Sequence, residues 1–553
     1  MSGVTRTADV LIVGGGTGGC AAALAACRAG KRVLMTEPCE WVGGQLTSQA
    51  VPPDENRWIE THGGTASYLA FRERVRSYYR EHYPLTAAAR QASELNPGTG
   101  FVSRLCAEPK VAHAVLNQML APYASRGLLR ILRYVVPAKV EVEGDRVREV
   151  ELRSLRGEPD VTVIAPYVLD ATELGDLLPL AGCEYVVGAE SQDETGELHA
   201  KPGAAEPGNV QALTWCFAMG YDPAPEADHT IPEPASYARW RDYVPRMDPP
   251  WPGKLFTWTD YAPHLLEPRH NFLFPHEYAP EEGRDGISYF AYRQIVGARH
   301  WEPDAAPHEV TVVNWAMNDY IEANLMSDDP EERERAVREG RELSLSFLYW
   351  LQTETPNYTT GGRGYPGLYV HGDATGTNDG LAQAPYIRES RRIRARFTVT
   401  EQHVGTLMRT GLDHRPGTPV DERLVGARAE TFEDSIGIGH YRIDLHPSTG
   451  GDNSIDISSL PFQIPLGALI PVRLRNLLPA CKNIGTTHIT NGCYRLHPVE
   501  WNIGESAGVL AAFCLDRGVE PAQVHETPAL LAEYQAALRG QGVRLAWPTT
   551  LPA

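Results

Sequence analysis

Ala8-Asp9-Val10-Leu11-Ile12-Val13-Gly14-Gly15-Gly16-Thr17-Gly18-Gly19 stands near the start of the chain and decides its fold. The apolar run ending at Val13 reads as a buried parallel strand. Gly14, Gly16 and Gly19 follow with the spacing G-x-G-x-x-G, and Cys20 to Arg28 reads as a helix of small residues. A strand, a glycine turn and a helix in that order make a diphosphate site. Gly14 permits the tight turn, Gly16 lets the backbone approach the anion, and Gly19 lets helix and strand pack closely. Thr17 and Gly18 open the helix, whose free N–H groups carry partial positive charge. Arg32 to Thr36 reads as a second strand. Glu37 ends it, where a carboxylate binds the ribose hydroxyls of a dinucleotide. On these residues NAD(P) and FAD are equal alternatives.

The chain has 553 residues, enough for two or more structural units. Hydrophobic residues make up 42% and charged residues 22%, the balance of a soluble globular protein. A formal net charge of -19 argues against nucleic acid as a partner. No apolar run is long enough to cross a bilayer. The polar stretch from Met1 to Thr7 leads straight into the first strand and leaves no room for a cleaved leader. The 9 cysteines form no C-x-x-C pair, so disulfides and a cysteine-rich zinc site are not expected, and a cytoplasmic protein is. Asp444-x-His446 alone is too little for a metal site, and no metal is expected.

Further along, Thr65 to Tyr83 reads as a helix. Leu128 to Val142, Arg146 to Leu152 and Val161 to Leu169 read as strands, with Gly144-Asp145 as a hairpin turn. From about Glu184 to Pro307 proline, tryptophan, tyrosine and histidine become frequent and helical periodicity vanishes. Glu309 to Leu351 returns to helix, interrupted near Ser327 to Pro330. Asn476 to Cys481 reads as a strand, and Glu500 to Asp516 and Pro528 to Arg539 as helices. The expected fold is α/β: a Rossmann-like nucleotide-binding domain, discontinuous, with an inserted β-rich substrate domain. Its first part covers 1–183 and its last part, with a C-terminal helix, 466–553. The substrate domain covers 184–360 and returns at 405–465, around a cofactor-proximal segment at 361–404.

Asn476 to His488, then Gly492 to Gly508 with Pro498, Glu500, Trp501, Ala507 and Gly508, is the second informative segment. Gly43-Gly44-Gln45-Leu46-Thr47, Asp170-Ala171-Thr172-Glu173 and Pro385 to Arg392 go with it. Together these segments resemble the FAD-dependent oxidoreductases of the glutathione-reductase-type flavoprotein superfamily, also called the two-dinucleotide-binding-domain flavoproteins. The chain departs from the family's habit at Glu173, where glycine is frequent, and at Cys481-Lys482, where Gly-Arg is frequent. The resemblance implies an FAD site that adds Pro38, Gly43, Gly44, Gln45, Leu46, Thr47, Val136, Ala171, Thr172, Asn483 and Arg495 to the opening turn and Glu37. It also implies a helix start at Trp501, Asn502 and Ile503 that points at the flavin. Such a helix start stabilises negative charge on the reduced ring.

A flavin enzyme that oxidises a C–H next to an O–H or N–H needs a base for the second proton. Histidine suits that role near neutral pH. The segments expected near the flavin offer His371, His440, His446, His488 and His497, of which His488 is preferred, because Thr487-His488 sits in the flavin segment itself, with His440 as the second candidate. Alternation would place His440, Arg442 and Asp444 on one face of a strand. Arg388 is the third catalytic candidate, as a clamp for an anionic substrate or the reduced ring. The expected function is an FAD-dependent dehydrogenase or oxidase acting on a small polar, sugar-like or specialised metabolite. The electron acceptor is open, with oxygen as one candidate. A flavin-dependent isomerase or lyase, a reductase-type enzyme, and a scaffold without catalysis are the alternatives.

Overall fold

A computed structural model describes residues 4–265, 267–414, 421–424 and 426–549. Residues 1–3 of the polar lead-in, and 415–420 and 425 of the expected return strands, lie outside the described residues. Five parallel strands form the central sheet, in the order Leu477–Pro479, Tyr167–Asp170, Val10–Val13, Val33–Glu37 and Leu129–Arg133. Val10 to Val13 are wholly buried, as the continuous apolar run requires of a strand covered on both faces. Its two neighbours come from far along the chain on one side and from the next segment on the other. The expected discontinuous α/β domain is therefore what forms around the glycine turn.

Two expected strands are each divided between sheets. In the run from Leu128 the chain breaks at Tyr134, which takes φ 59°, and Val135–Glu143 leaves the parallel sheet. The run from Val161 breaks at Pro166, whose missing N–H suits a crossing point. Val161–Ile164 then joins Val4–Thr7, Arg146–Ser154 and Val135–Glu143, while Tyr167–Asp170 enters the parallel sheet.

Thr17–Arg28, rich in glycine and alanine, is the helix that follows the first strand. It packs along His497–Arg517. Small residues allow this: a Cβ at Gly504 would lie 2.0 Å from the Gly18 carbonyl oxygen, and one at Gly508 2.4 Å from that of Ala22. The late helix begins at His497, not at Glu500, with Pro498 in its first turn where no donor is needed.

The middle of the chain builds its own core. A four-stranded antiparallel sheet of Gln294–Val296, Val310–Val313, Phe217–Tyr221 and Leu368–Val370 packs with the long helix Pro330–Thr353. The sequence reading made Glu309 onward helical, but Val310-Thr311-Val312-Val313 is a buried strand, as its β-branched residues favour. Trp215, Trp240, Trp251, Trp258, Trp315 and Trp350 all lie buried in this core. The aromatic richness of this stretch is thus largely packing.

Candidate functional site

The opening turn forms as its glycines dictate. Gly14 takes φ +102°, and a Cβ there would sit 2.2 Å from the Ala171 carbonyl oxygen. At Gly19 a Cβ would lie 2.1 Å from the Gly14 oxygen, so helix and strand meet backbone to backbone. The second glycine motif folds against the first. The Gly43 N–H donates to the Gly15 oxygen at 2.7 Å, and the Thr17 hydroxyl donates to the Gly43 oxygen at 2.9 Å. Thr47 closes this loop by donating to the Val42 oxygen at 2.7 Å, and Leu46 is buried beneath it.

Between the two glycine loops lies an anion. A Cβ at Gly16 would be 2.8 Å from Glu173 Oε1, and one at Gly44 2.9 Å from the same oxygen. The carboxylate of Glu173 thus occupies the concavity at the start of the Thr17–Arg28 helix, whose first turn carries no acid and whose cap residue is Gly16. First-turn N–H groups have no partner within their helix, and they favour negative charge. Lys482, fully buried, pairs with Glu173 and lies 3.8 Å from Glu500. Glu500 accepts from the Gly18 N–H at 3.4 Å and from Gln45 Nε2 at 2.8 Å. Burial pushes its carboxyl up to about 7, with Lys482 opposing and Glu173 adding to the rise. Glu37 accepts from the Cys39 N–H at 2.8 Å. Burial, with Glu173 nearby, raises its carboxyl to about 8.

The other residues named for the cofactor take several places. Ala171 N–H donates to the Val13 oxygen at 2.8 Å, and Thr172 bonds Asp170 Oδ1 through both its N–H and its hydroxyl. Asn483 donates to the Asp170 oxygen at 3.1 Å, so all three gather at the end of the central strands. Val136 lies on Val135–Glu143, a strand in contact with Val33–Glu37. Pro38 is exposed beyond Glu37. Trp501, Asn502 and Ile503 do not open a helix. They sit past the first turn of His497–Arg517, where their N–H groups serve the helix itself. Trp501 donates to the Ser67 hydroxyl at 2.7 Å and stacks on Phe71, while Asn502 holds Ile436 and Ile438. Their part in the helix start passes to His497, Pro498 and Val499.

Gln45 links the turn to a buried polar cluster, since its amide donates to the Arg495 oxygen at 2.9 Å as well as to Glu500. The Arg495 guanidinium donates to the Tyr386 hydroxyl at 2.7 Å and to Asp444 Oδ2 at 3.0 Å. Arg293 faces Asp54 at 3.4 Å, and the Asp54 N–H donates to His497 Nδ1 at 3.0 Å. Burial and the neighbouring arginines hold His497 neutral, with its pKa down at about 4. Burial opposes ionisation of Asp444, but His446, Arg495, Arg388 and Arg293 outweigh it and lower its pKa. Asp54 and Arg293 were not singled out from the sequence, and Tyr386 only as part of the segment Pro385 to Arg392. The only signal for Asp54 was the position of Pro52-Pro53-Asp54 just after the second glycine motif.

Two histidines join this cluster through buried carboxylates. His446 Nδ1 bonds Asp319 Oδ2 at 2.6 Å, and its Nε2 lies 3.7 Å from Asp444 Oδ2. Arg388 holds Asp319 at 3.2 Å and also donates to Thr214, the Ala212 oxygen and Asn314. His488 Nδ1 bonds Glu389 Oε2 at 3.0 Å, and Arg392 pairs with the other oxygen of Glu389. Burial disfavours the imidazolium of His488, but Glu389 outweighs it and raises the pKa. His446 and His488 both line one cavity of 140 Å³.

His440 is not brought to this cavity. It follows the strand Ser435–Gly439, with its ring edge-on to Trp58, and burial together with Arg57 drops its pKa to about 3. Arg442 pairs with Asp456 and Asp444 with Arg495. The expected single face of His440, Arg442 and Asp444 does not form, because the chain leaves its strand at Gly439 and starts a new one at Ile443. His371 lies at the start of a short helical turn in the middle segment.

A family model described as FAD dependent oxidoreductase matches residues 9–538. No curated protein matches. Solved structures similar to this chain include a geranylgeranyl bacteriochlorophyll reductase-like protein from Thermoplasma acidophilum. It is 12% identical over 98% of this chain and 85% of that one, with a TM-score of 0.32. Mycobacterium smegmatis Sdh1 in complex with UQ1 is 11% identical over 39% of this chain, with a TM-score of 0.23, and the match spans 41% of that protein's length. The myxobacterial halogenase CndH is 17% identical over 41% of this chain and 45% of that one, at a TM-score of 0.22.

The residues present fit FAD. The concavity between Gly16 and Gly44 already holds a negative group on a helix start, and Lys482 is at hand to balance it. For a diphosphate to settle there, the Glu173 side chain has to yield its place. Gly14, Gly16, Thr17, Gly18 and Gly19 would hold the diphosphate and Glu37 the ribose, with Gly43, Gly44 and Gln45 closing over them.

Proposed function

The chain belongs to the FAD dependent oxidoreductase family, and we propose that it is a dehydrogenase or oxidase acting on a C–H bond next to an O–H or N–H of a small polar metabolite. FAD, when bound, supplies the acceptor for the hydride. The observation that supports this reading is the path of polar contacts from the glycine turn to His446, which shares a cavity with His488. It runs from Gly18 through Glu500 and Gln45 to Arg495, Asp444 and His446.

His488 accepts the proton of the substrate O–H or N–H at the ring nitrogen that Glu389 leaves free. Glu389 holds the ring in one tautomer and stabilises the imidazolium once formed. His488 must begin neutral, so activity rises with pH through a value above its ordinary 6.5. Arg388 does not reach for substrate in this scheme. Its guanidinium keeps Asp319 ionised, and Asp319 orients His446, which makes it a positioning residue. Arg495, held by Tyr386 and Asp444, presents positive charge to a polar substrate. All 9 cysteines are free thiols, which supports a reducing, cytoplasmic setting.

The test is an anaerobic screen of alcohols and amines for bleaching of the bound flavin. Bleaching by one of them, followed by recolouring in air, identifies an oxidase. Bleaching with slow recolouring identifies a dehydrogenase with another acceptor. If no alcohol or amine bleaches the flavin, the reading is wrong.

A further inference from the structure

The 140 Å³ cavity beside His446 and His488 has a third imidazole on its wall. His199 Nδ1 bonds Glu401 Oε1 at 2.6 Å, so each of the three rings is backed by a buried carboxylate. That contact occupies Nδ1 and fixes the tautomer, which leaves Nε2 of His199 and His488 for a ligand, while that of His446 faces Asp444. Leu445, Ile455 and Ile489 supply an apolar wall.

The informative residue is Glu197. It lines the cavity and is 0% exposed. Its Oε1 accepts from the Thr487 hydroxyl at 2.6 Å and from the Glu401 N–H at 2.8 Å. Its Oε2 is buried and has no hydrogen-bond partner among the described residues. Leaving a buried carboxylate oxygen unpaired is costly, and a ligand that donates to it removes that cost. Burial, with Glu190 nearby, pushes this carboxyl up to about 7, so Oε2 is an acceptor above that pH and the carboxyl keeps its proton below it. In size, an apolar cavity of about 150 Å³ takes one benzene-sized ring.

We propose that this cavity binds a compact hydroxylated or amino-substituted compound, of the size of one six-membered ring, with an O–H or N–H donating to Glu197 Oε2 and a second polar group meeting His488. This rests on the flavin reading only in naming the compound as the substrate class. Binding itself stands apart from it.

The test is calorimetric titration of the FAD-loaded enzyme at about pH 8.5, where Glu197 is ionised, with 2-aminocyclohexanol, cyclohexane-1,2-diol and cyclohexanone, in wild type and Glu197→Gln. In the variant the amide oxygen stays with Thr487 and the Glu401 N–H, so the NH₂ takes the place of Oε2. The cavity then offers a donor where it offered an acceptor. The ammonium of the amino alcohol loses its acceptor and should bind roughly tenfold to a hundredfold more weakly. Cyclohexanone, which only accepts, should bind more tightly than to wild type. That crossed preference is not produced by mere loosening of the fold. An unchanged order of the three probes, or no binding of either donor probe to wild type at millimolar concentration, overturns the proposal. Ala200→Leu, which fills the cavity from its wall, covers the case in which Glu197→Gln does not fold. It should abolish binding of the diol, and unchanged binding counts against the site. Crossed binding without flavin bleaching by any alcohol or amine would leave the site standing and the oxidation reading fallen. Bleaching without the crossed preference would do the reverse.

Discussion

Replacing Gly504 by alanine adds one methyl group at the crossing of the two helices that carry the glycine turn. That methyl carbon would lie 2.0 Å from the Gly18 carbonyl oxygen, where ordinary contact begins at 3.4 Å. The two nearest further atoms, at 2.6 Å, are also Gly18 backbone, so no flexible side chain can give way. The helices must part by roughly 1 Å, and a gap of that size forfeits about a quarter to a half of each facing dispersion contact. Overpacking of this kind costs about 1–3 kcal/mol, against a helix-propensity gain for alanine over glycine of about 1 kcal/mol. The larger effect falls on the cofactor. Gly18, whose own N–H donates to Glu500, belongs to the first turn, and a shift of that turn which loses one charged hydrogen bond weakens FAD by roughly tenfold to a hundredfold. The matched control is Gly540→Ala, also in a helix, where an added Cβ meets nothing within 4 Å. FAD release is followed by flavin fluorescence on dilution, and stability by urea titration. If Gly504→Ala keeps FAD as tightly as Gly540→Ala and shares its urea midpoint, the helix crossing does not hold the turn in place.

Further outcomes follow from the buried ion pairs. Replacing Glu389 by glutamine removes a carboxylate whose pKa is lowered to about 2 because His488 and Arg392 outweigh its burial. Its contribution is present above the ordinary 4.5 and fades as pH falls towards 2, whereas that of the raised His488 is full below 6.5 and fades as pH rises through its folded value. The stability gap between wild type and Glu389→Gln should therefore be widest between pH 4.5 and 6.5 and narrow on both sides. A gap independent of pH in urea titrations would show that the pair is not ionised as drawn. Lys482→Met leaves Glu173 and Glu500 facing each other without their cation, which should cost about 3–5 kcal/mol. Adding Glu173→Gln should recover part of that loss, and a double variant no more stable than the single one would rule out the triad as the cause.

Much of the cofactor turn was legible because it is local. The glycines, the strand before them and Glu37 lie within one short stretch, and each glycine acts on backbone close by. The second glycine loop and Ala171-Thr172 were found by their resemblance to a family, and they fold onto the first turn. Strand limits were less legible. Leu128 to Val142 alternates throughout, and nothing in that pattern tells that the chain changes sheets at Tyr134. The helix runs from His497, three residues before the expected Glu500, and Pro498 marks its entrance as a proline there does. The polar cluster was the least legible part. Asp54, Arg293, Tyr386, Asp444 and Arg495 come from five separated segments, and pairing at that distance leaves no mark on local periodicity. In the sequence His488 differs from His440 only by its place in the segment that resembles the family's. In the structure, burial beside Arg57 in one case, and contact with Glu389 in the other, sets them apart.

The parallel sheet also has a bearing on how the protein is made. The strand Tyr167–Asp170 has the first strand on one side and Leu477–Pro479 on the other. The helix that abuts the glycine turn comes later still. At about 5–20 residues per second, a ribosome needs roughly 15–60 s to pass from Tyr167–Asp170 to its late neighbour Leu477–Pro479. For that interval the nascent chain carries an unfinished sheet edge and a glycine turn without its supporting helix. Such an edge pairs readily with other chains. Expression at slower translation, or with holdase chaperones or added riboflavin, therefore acts on yield at this one step, before any question of catalysis arises.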